Sequence, residues 1–312
     1  MKVILFGAAG FIGTNLIIQM AKNQNNVITV VDRNKSYFEV LKTMSIPNLR
    51  ILESEMSVGT DFERLVEGQD VVYHLISTTV PTTSNKTIPD ELSANVLMSS
   101  FLLEACVRKE VKKVVFLSSG GTVYGKEAKC PLNEDTPTNP ITSYGVQKIT
   151  IEKLLYLYNY MYGLDYRIIR LSNPYGPYQR PNGILGAVTT FTYKALKDEE
   201  IIVYGDGSVV RDFIYIDDAV DGIQRIVNGD SKYKTFNLGC GYGTSIKRVL
   251  DNIEKALGKN LNIRYTENRK VDVPINYLDI SRFESEYGKL EPIDLESGIK
   301  RTAEFMKRFY KI

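Results

Sequence analysis

Tyr144 and Lys148 stand four residues apart in Ser143-Tyr144-Gly145-Val146-Gln147-Lys148, at the start of a stretch with helical period. Four residues is about one helical turn, so phenol and ammonium share one face. A phenol with an ordinary pKa near ~10 is almost wholly protonated at neutral pH, and a neighbouring cation favours its ionised form. Half-ionisation at pH 7 asks for about three decades of change, or roughly 4 kcal/mol, which the ammonium and a second positive charge in a partly dry site could supply. The product would be a general base for a hydroxyl proton. In a chain with 20 tyrosines such a pair also arises by accident, so its neighbours decide its meaning. Upstream, Leu117-Ser118-Ser119-Gly120-Gly121-Thr122-Val123-Tyr124-Gly125 closes an apolar run with hydroxyls. Such a hydroxyl can hydrogen-bond a reacting oxygen and pass its proton on.

Near the amino terminus, Gly7-Ala8-Ala9-Gly10-Phe11-Ile12-Gly13 follows the apolar run Val3-Ile4-Leu5-Phe6 and opens a helical segment. Gly7 suits the tight turn, Gly10 a close approach of backbone to a pyrophosphate, and Gly13 close packing of helix on strand. The helix start then offers free N–H groups and a positive dipole end to phosphates. Asp32 closes the next strand, Val27 to Val31, about 20 residues on, where an acid grips the adenosine ribose hydroxyls. A carboxylate there favours NAD over NADP, although Arg33 follows and could accept a 2′-phosphate.

Elements that could position these groups are legible in the alternation of short apolar runs with helical segments, the pattern of repeated βαβ units. Strands are expected at Val3 to Phe6, Val27 to Val31, Leu49 to Leu52, Val71 to His74, Val114 to Leu117 and Tyr166 to Leu171, with helices beginning near Phe11, Phe62, Leu92 and Tyr144. The fold class is therefore α/β, a doubly wound parallel sheet of the Rossmann type with a smaller mixed α/β lobe. Residues 1–172 are expected to form the dinucleotide-binding domain. Residues 173–312, where Gly and Pro recur and the sheet cannot easily continue, mainly form a substrate lobe, some segments returning to the first domain. The segments Leu92 to Val107 and Gly145 to Tyr162 are long and partly apolar, and suit either a dimer face or a cover for the sheet.

With 39 Lys and Arg against 37 Asp and Glu, the net charge of +2 gives no field for nucleic acid or a membrane surface. Cys106, Cys130 and Cys240 have no metal or disulfide spacing, so no metal is expected. His74, the sole histidine, ends an apolar run and reads as structural. The amino terminus enters a strand pattern directly and no stretch reaches membrane-spanning length, which makes the cytoplasm the default location.

Together with Asn173-Pro174-Tyr175-Gly176 and the Gly205 to Asp218 segment GDGSVVRDFIYIDD, these motifs resemble the extended short-chain dehydrogenase/reductases of the NAD-dependent epimerase/dehydratase family, closest to UDP-glucose 4-epimerases, over nearly the whole chain. The resemblance implies bound NAD, a UDP-sugar substrate and a homodimer. It implies that Phe11, Ile12, Leu75, Ile76 and Ser77 line the cofactor and that Glu55 and Met56 meet its adenine. It also implies that Asn173 contacts the sugar or its phosphates, that Arg211 and Arg269 clamp the pyrophosphate, and that Tyr204 packs on the base. Arginine forks and aromatic faces suit those partners. Aligned on Val123-Tyr124-Gly125, Gly120 stands where the family carries its catalytic Ser or Thr. That role falls to Thr122 or Ser119, Thr122 being preferred because Gly121 leaves room for substrate.

The expected reaction is epimerisation at carbon 4 of a UDP-hexose through a transient ketone. A 4,6-dehydratase would need an Asp-Glu pair before the Val-Tyr-Gly turn, where this chain has Gly121-Thr122. Asn276 falls where a tyrosine in some epimerases excludes N-acetyl sugars, so its smaller side chain would admit UDP-N-acetylhexosamines. The alternatives are a UDP-glucuronate 4-epimerase, a nucleotide-sugar 4-reductase and, in another class, a non-catalytic NAD-sensing protein, against which Tyr144 and Lys148 argue.

Overall fold

The computed structural model describes residues 1–33, 38–182, 185–267 and 273–312. Its elements run β1 (Lys2–Phe6), α1 (Phe11–Ala21), β2 (Val27–Asp32), α2 (Glu39–Thr43), β3 (Leu49–Glu53), α3 (Phe62–Val66), β4 (Val71–His74), α4 (Ile88–Leu92), a π-helical turn (Ser93–Leu97), α5 (Met98–Arg108), β5 (Lys113–Ser119), α6 (Ser143–Tyr162) and β6 (Asp165–Leu171). There follow β7 (Asn173–Tyr175), α7 (Ala187–Leu196), β8 (Ile201–Tyr204), β9 (Val210–Arg211), β10 (Phe213–Tyr215), α8 (Ile216–Asn228), β11 (Thr235–Leu238), β12 (Thr244–Ser245), α9 (Ile246–Leu257), β13 (Ile263–Thr266), β14 (Ile275–Asn276), α10 (Ser281–Tyr287) and α11 (Leu295–Tyr310). Two compact units result: residues 1–123, 138–170 and 230–236, and residues 124–137, 171–229 and 237–312. The boundary expected after residue 172 is thus one of several crossings.

The chain forms a seven-stranded parallel sheet in the order β11-β6-β5-β4-β1-β2-β3. All six expected strands are present, within a residue or two of their expected ends. Side chains of β1 and β4 are buried almost continuously because helices cover both faces of such a sheet, while those of β3, at its edge, are half-buried or exposed. Ile4, Phe6, Val72, Phe116, Leu102 and Ile151 join one core, where each large apolar side chain contributes about 1.5–3 kcal/mol. Strand order reverses between β1 and β4, which places a ligand crevice at the carboxyl ends of those two strands.

One expectation is corrected. The sheet does continue after Pro174, because β11 adds at the edge beside β6. Its four residues, Thr-Phe-Asn-Leu, are too few to show a period, yet Phe236 and Leu238 are fully buried.

In the second unit β7 pairs with β10, β9 lies between β12 and β14, and β8 pairs with β13. Buried Asp212 ties several of these segments by accepting N–H groups of Cys240 (2.8 Å), Gly241 (3.3 Å) and Leu278 (3.3 Å). Tyr124 belongs to this unit and donates to Asn237 Oδ1 at 2.6 Å, while Asn237 Nδ2 donates to the Leu132 carbonyl at 2.7 Å. Among the described residues, no helix is long and apolar enough to cross a membrane and no cluster of His, Cys, Asp and Glu could hold a metal ion.

Candidate active site

The carboxyl ends of β1, β2 and β4 are level. Phe6 pairs with Val31 on one side and with His74 on the other, so Gly7, Asp32 and Leu75 emerge together. Gly7 has φ +75°, and a Cβ there would lie 2.9 Å from Ile76 Cα, so this turn requires glycine. A Cβ on Gly13 would lie 2.3 Å from the Ala8 carbonyl oxygen, so glycine lets α1 pack directly on the turn that follows β1. Gly10 differs, since a Cβ there would meet nothing nearer than Gly7 O at 3.9 Å. No side chain caps α1 at Gly10. An open flank beside an uncapped helix start leaves room and free N–H donors for a phosphate. Asp32 is fastened to it, Oδ2 accepting Ala9 N–H at 3.0 Å and Oδ1 accepting Arg33 N–H at 2.8 Å.

The other residues expected around a dinucleotide follow these strand ends. Phe11 and Ile12 are half-buried at the start of α1, Glu55 is exposed, and Met56 is half-buried against the core. Leu75 and Ile76 are half-buried, and the exposed Ser77 donates its Oγ proton to Thr79 O at 2.7 Å.

β5 and α6 build the second cluster. Thr142 caps α6 by accepting Gly145 N–H at 3.2 Å. A Cβ on Gly145 would lie 2.6 Å from Pro140 Cβ and 2.9 Å from Thr122 O, so glycine lets the first turn of α6 approach the turn after β5. Ser119, the last residue of β5, stands close enough to the Tyr144 phenol for its hydroxyl to favour the ionised form. Lys148 Nζ lies 5.5 Å from the centre of the Tyr144 ring and 4.7 Å from that of Phe116, and donates to Leu117 O at 2.9 Å. Ser119, Tyr144 and Lys148 are therefore brought together.

Of the two candidate hydroxyls, Ser119 stands beside the phenol, and the buried Oγ1 of Thr122 has no hydrogen-bond partner. Ser119 continues the strand up to the phenol, whereas Thr122 lies in the following turn. The phenol is not acidified by the protein alone. Burial pushes it up to about 12, with the Ser119 hydroxyl pulling the other way. Burial draws the Lys148 ammonium down to about 8 against the opposing charge of Glu152. His74 is buried, kept neutral by a pKa near about 3, and bonded through Nε2 to Ser99 Oγ at 2.6 Å, in keeping with a structural role.

In the second unit, Asn173 bonds Asp212 O twice, through its backbone N–H at 3.0 Å and its Nδ2 at 2.9 Å. Arg211 Nη1 donates to Val210 O at 2.8 Å and Val273 O at 2.7 Å. Its strand partner on β14 is the buried Asn276. Tyr204 ends β8 with its side chain exposed. Arg269 lies outside the described residues.

Residues 3–239 match the profile of the NAD dependent epimerase/dehydratase family. The chain belongs to that family. It is 31% identical to the UDP-glucose 4-epimerase of Mycolicibacterium smegmatis over 309 residues, covering 98% of this chain and 99% of that one. It is similar to the crystal structure of UDP-glucose 4-epimerase from Thermotoga maritima with UDP-glucose, at a TM-score of 0.90 and 30% identity, over 99% of this chain and 100% of that one. UDP-glucuronic acid 4-epimerase from Bacillus cereus, in complex with UDP-glucuronic acid and NAD, matches at a TM-score of 0.88 and 26% identity, over 99% and 100% of the two chains.

For a member of the NAD dependent epimerase/dehydratase family, the residues present fit a dinucleotide. The space beside Gly10, the uncapped start of α1 and the carboxylate of Asp32 offer room, N–H donors and a ribose acceptor in one place. Sequence reasoning missed three buried polar residues, Glu91, Asn95 and Gln147, which hydrogen-bond one another around the first turn of α6. Polar side chains on helices read as a solvated face, and no local signal separates these from such a face.

Proposed function

We propose that the protein interconverts UDP-hexoses that differ at carbon 4, with NAD held by the Gly7–Gly13 turn and Asp32. The observation that carries this reading is the group formed by Ser119, Tyr144 and Lys148 at the end of β5 and the start of α6. NAD bound there would supply the acceptor and donor of the carbon 4 hydride and a positive charge that favours the Tyr144 phenolate. Ser119 holds the sugar oxygen and relays its proton to Tyr144, while Lys148 keeps a positive charge beside the ring. Asn173, Arg211, Arg269 and Tyr204 hold the nucleotide and leave the 4-keto hexose free to turn. Proton return from Tyr144 then yields the epimer, so no reductant is consumed.

Incubation with UDP-glucose, UDP-galactose, UDP-glucuronate and the two UDP-N-acetylhexosamines, without added reductant, tests this. The expected result is a mixture of 4-epimers with no net reduced cofactor. Stoichiometric NADPH consumption with a 4-keto sugar would mark a reductase, and turnover of UDP-glucuronate alone would move the assignment to that acid, the reading favoured by the likeness to the Bacillus cereus enzyme. Ser119→Ala is expected to cut turnover about 100-fold and Thr122→Ala no more than about threefold. The reverse order would return the role to Thr122.

The same reading takes the active form to be a cytoplasmic homodimer. Phe101 on α5 and Leu157, Tyr160 and Met161 on α6 are exposed, an apolar face suited to a second copy. The three cysteines are free thiols, as suits a reducing compartment. Light scattering at twice the 35.3 kDa chain mass supports the dimer, and a monomer at working concentration overturns it.

A further inference from the structure

We propose that Glu91, acting with Gln147, is a positioning residue that fastens the segment after β4, residues 78–87, to the helical turn carrying Tyr144. The proposal rests on the reading that this turn does carbon 4 chemistry.

The segment leaves β4 at the reversal of strand order, where open α/β sheets bind their ligands. It contains no helix or strand and is exposed over much of its length, so its placement must come from side chains. Both of its ends are tied. At the near end Asn95, in the π-helical turn, accepts Thr78 N–H at 2.9 Å and donates to Thr78 Oγ1 at 2.8 Å. At the far end the Glu91 carboxylate accepts backbone N–H groups of Lys86 (3.1 Å), Thr87 (3.4 Å) and Asn85 (3.4 Å).

Both ties lead to α6. Glu91 Oε2 accepts Ser143 Oγ–H at 2.5 Å and Gln147 Nε2–H at 3.1 Å. Gln147 Oε1 in turn accepts Asn95 Nδ2–H at 2.8 Å. Ser143 precedes Tyr144 and Gln147 precedes Lys148, so the tether grips the turn that presents both reacting groups.

The character of this network argues for geometry rather than bulk stability. Glu91, Asn95, Ser143 and Gln147 are all buried, and among the described residues no cation pairs with the carboxylate. The Ser143 hydroxyl, followed by the backbone N–H groups, holds its pKa below the ordinary carboxylate range, so it remains an anion at working pH. Burying a carboxylate costs stability unless directed donors satisfy it, and apolar side chains of similar size would join the helices without that cost. Directed bonds to five donors instead fix one arrangement of loop and helix.

Glu91→Gln preserves shape and removes the charge, and Gln147→Leu removes the link to Asn95. In each variant hydrogen exchange is expected to accelerate about tenfold or more in 78–87 and 143–148 together, with β1 and α1 unchanged. With any UDP-sugar that the wild type converts, kcat is expected to fall about 30-fold while KM stays within about threefold, since misplacement of a base acts on the chemical step. The double variant should lose no more than the worse single one, as residues of one device are non-additive. Unchanged exchange in either segment, or kcat within about twofold of wild type, overturns the proposal. Should the wild type convert no UDP-sugar, the functional reading fails while the exchange measurement still decides the tether. Should Glu91→Gln fail to fold, the same readouts on Gln147→Leu decide it.

Discussion

Tyr144→Phe is expected to lower turnover by about 10³- to 10⁴-fold while NAD remains bound. The variant keeps the ring that stands 5.5 Å from Lys148 Nζ and removes only the hydroxyl that Ser119 stands beside. Cofactor binding should survive because Asp32, the Gly10 flank and the α1 start lie on other strand ends. The size of the loss follows from what the hydroxyl must do. With burial pushing the phenol up to about 12, the protein alone leaves it protonated at pH 7, well short of an ionised base. Only the loaded site can close that gap, and without an acceptor there the carbon 4 hydroxyl has no base. Single-turnover formation of the keto sugar, alongside equilibrium NAD binding, checks both halves. Near-normal formation would refute the assigned base, and loss of NAD binding would show that the variant is damaged more widely.

Arg170→Met is expected to destabilise the fold by about 3–5 kcal/mol, the largest effect on stability anticipated for a single change here. Arg170 and Glu152 form a buried bidentate pair, with Nη2–Oε2 at 2.7 Å and Nε–Oε1 at 3.1 Å. Ser118 Oγ adds a donor to Glu152 at 2.5 Å. Removing the guanidinium would leave a carboxylate in the core with the Ser118 hydroxyl as its donor and the Lys148 ammonium as its nearby charge. Glu152→Met together with Arg170→Met removes both charges and should recover most of the loss. Urea unfolding of the single and double variants measures this, and a double variant no more stable than Arg170→Met would contradict the account.

How much of this was legible in the sequence depends on how each feature is encoded. Val71 to His74 and Val114 to Leu117 announce themselves because strands buried on both faces are written as apolar runs. Gly7 and Gly13 are legible because steric need leaves glycine no substitute there. β11 is not, being four residues long and paired with a strand more than 60 residues away in the chain. The choice between Ser119 and Thr122 turns on where β5 stops, and strand ends are the least predictable part of such a reading. Spacing likewise reveals the charge that neighbours Tyr144 but not how much water burial removes from it. Glu91 sits in Pro-Asp-Glu-Leu, which reads as the exposed acidic start of a helix, and only tertiary contacts turn that carboxylate inward.

Because residues 124–137 and 230–236 each belong to the unit other than that of the chain before them, neither unit corresponds to an uninterrupted stretch of polypeptide. On a ribosome the sheet must wait for residue 238 before its last strand exists. No single cut would release either half intact, so exchanging one half between relatives would require several splice junctions.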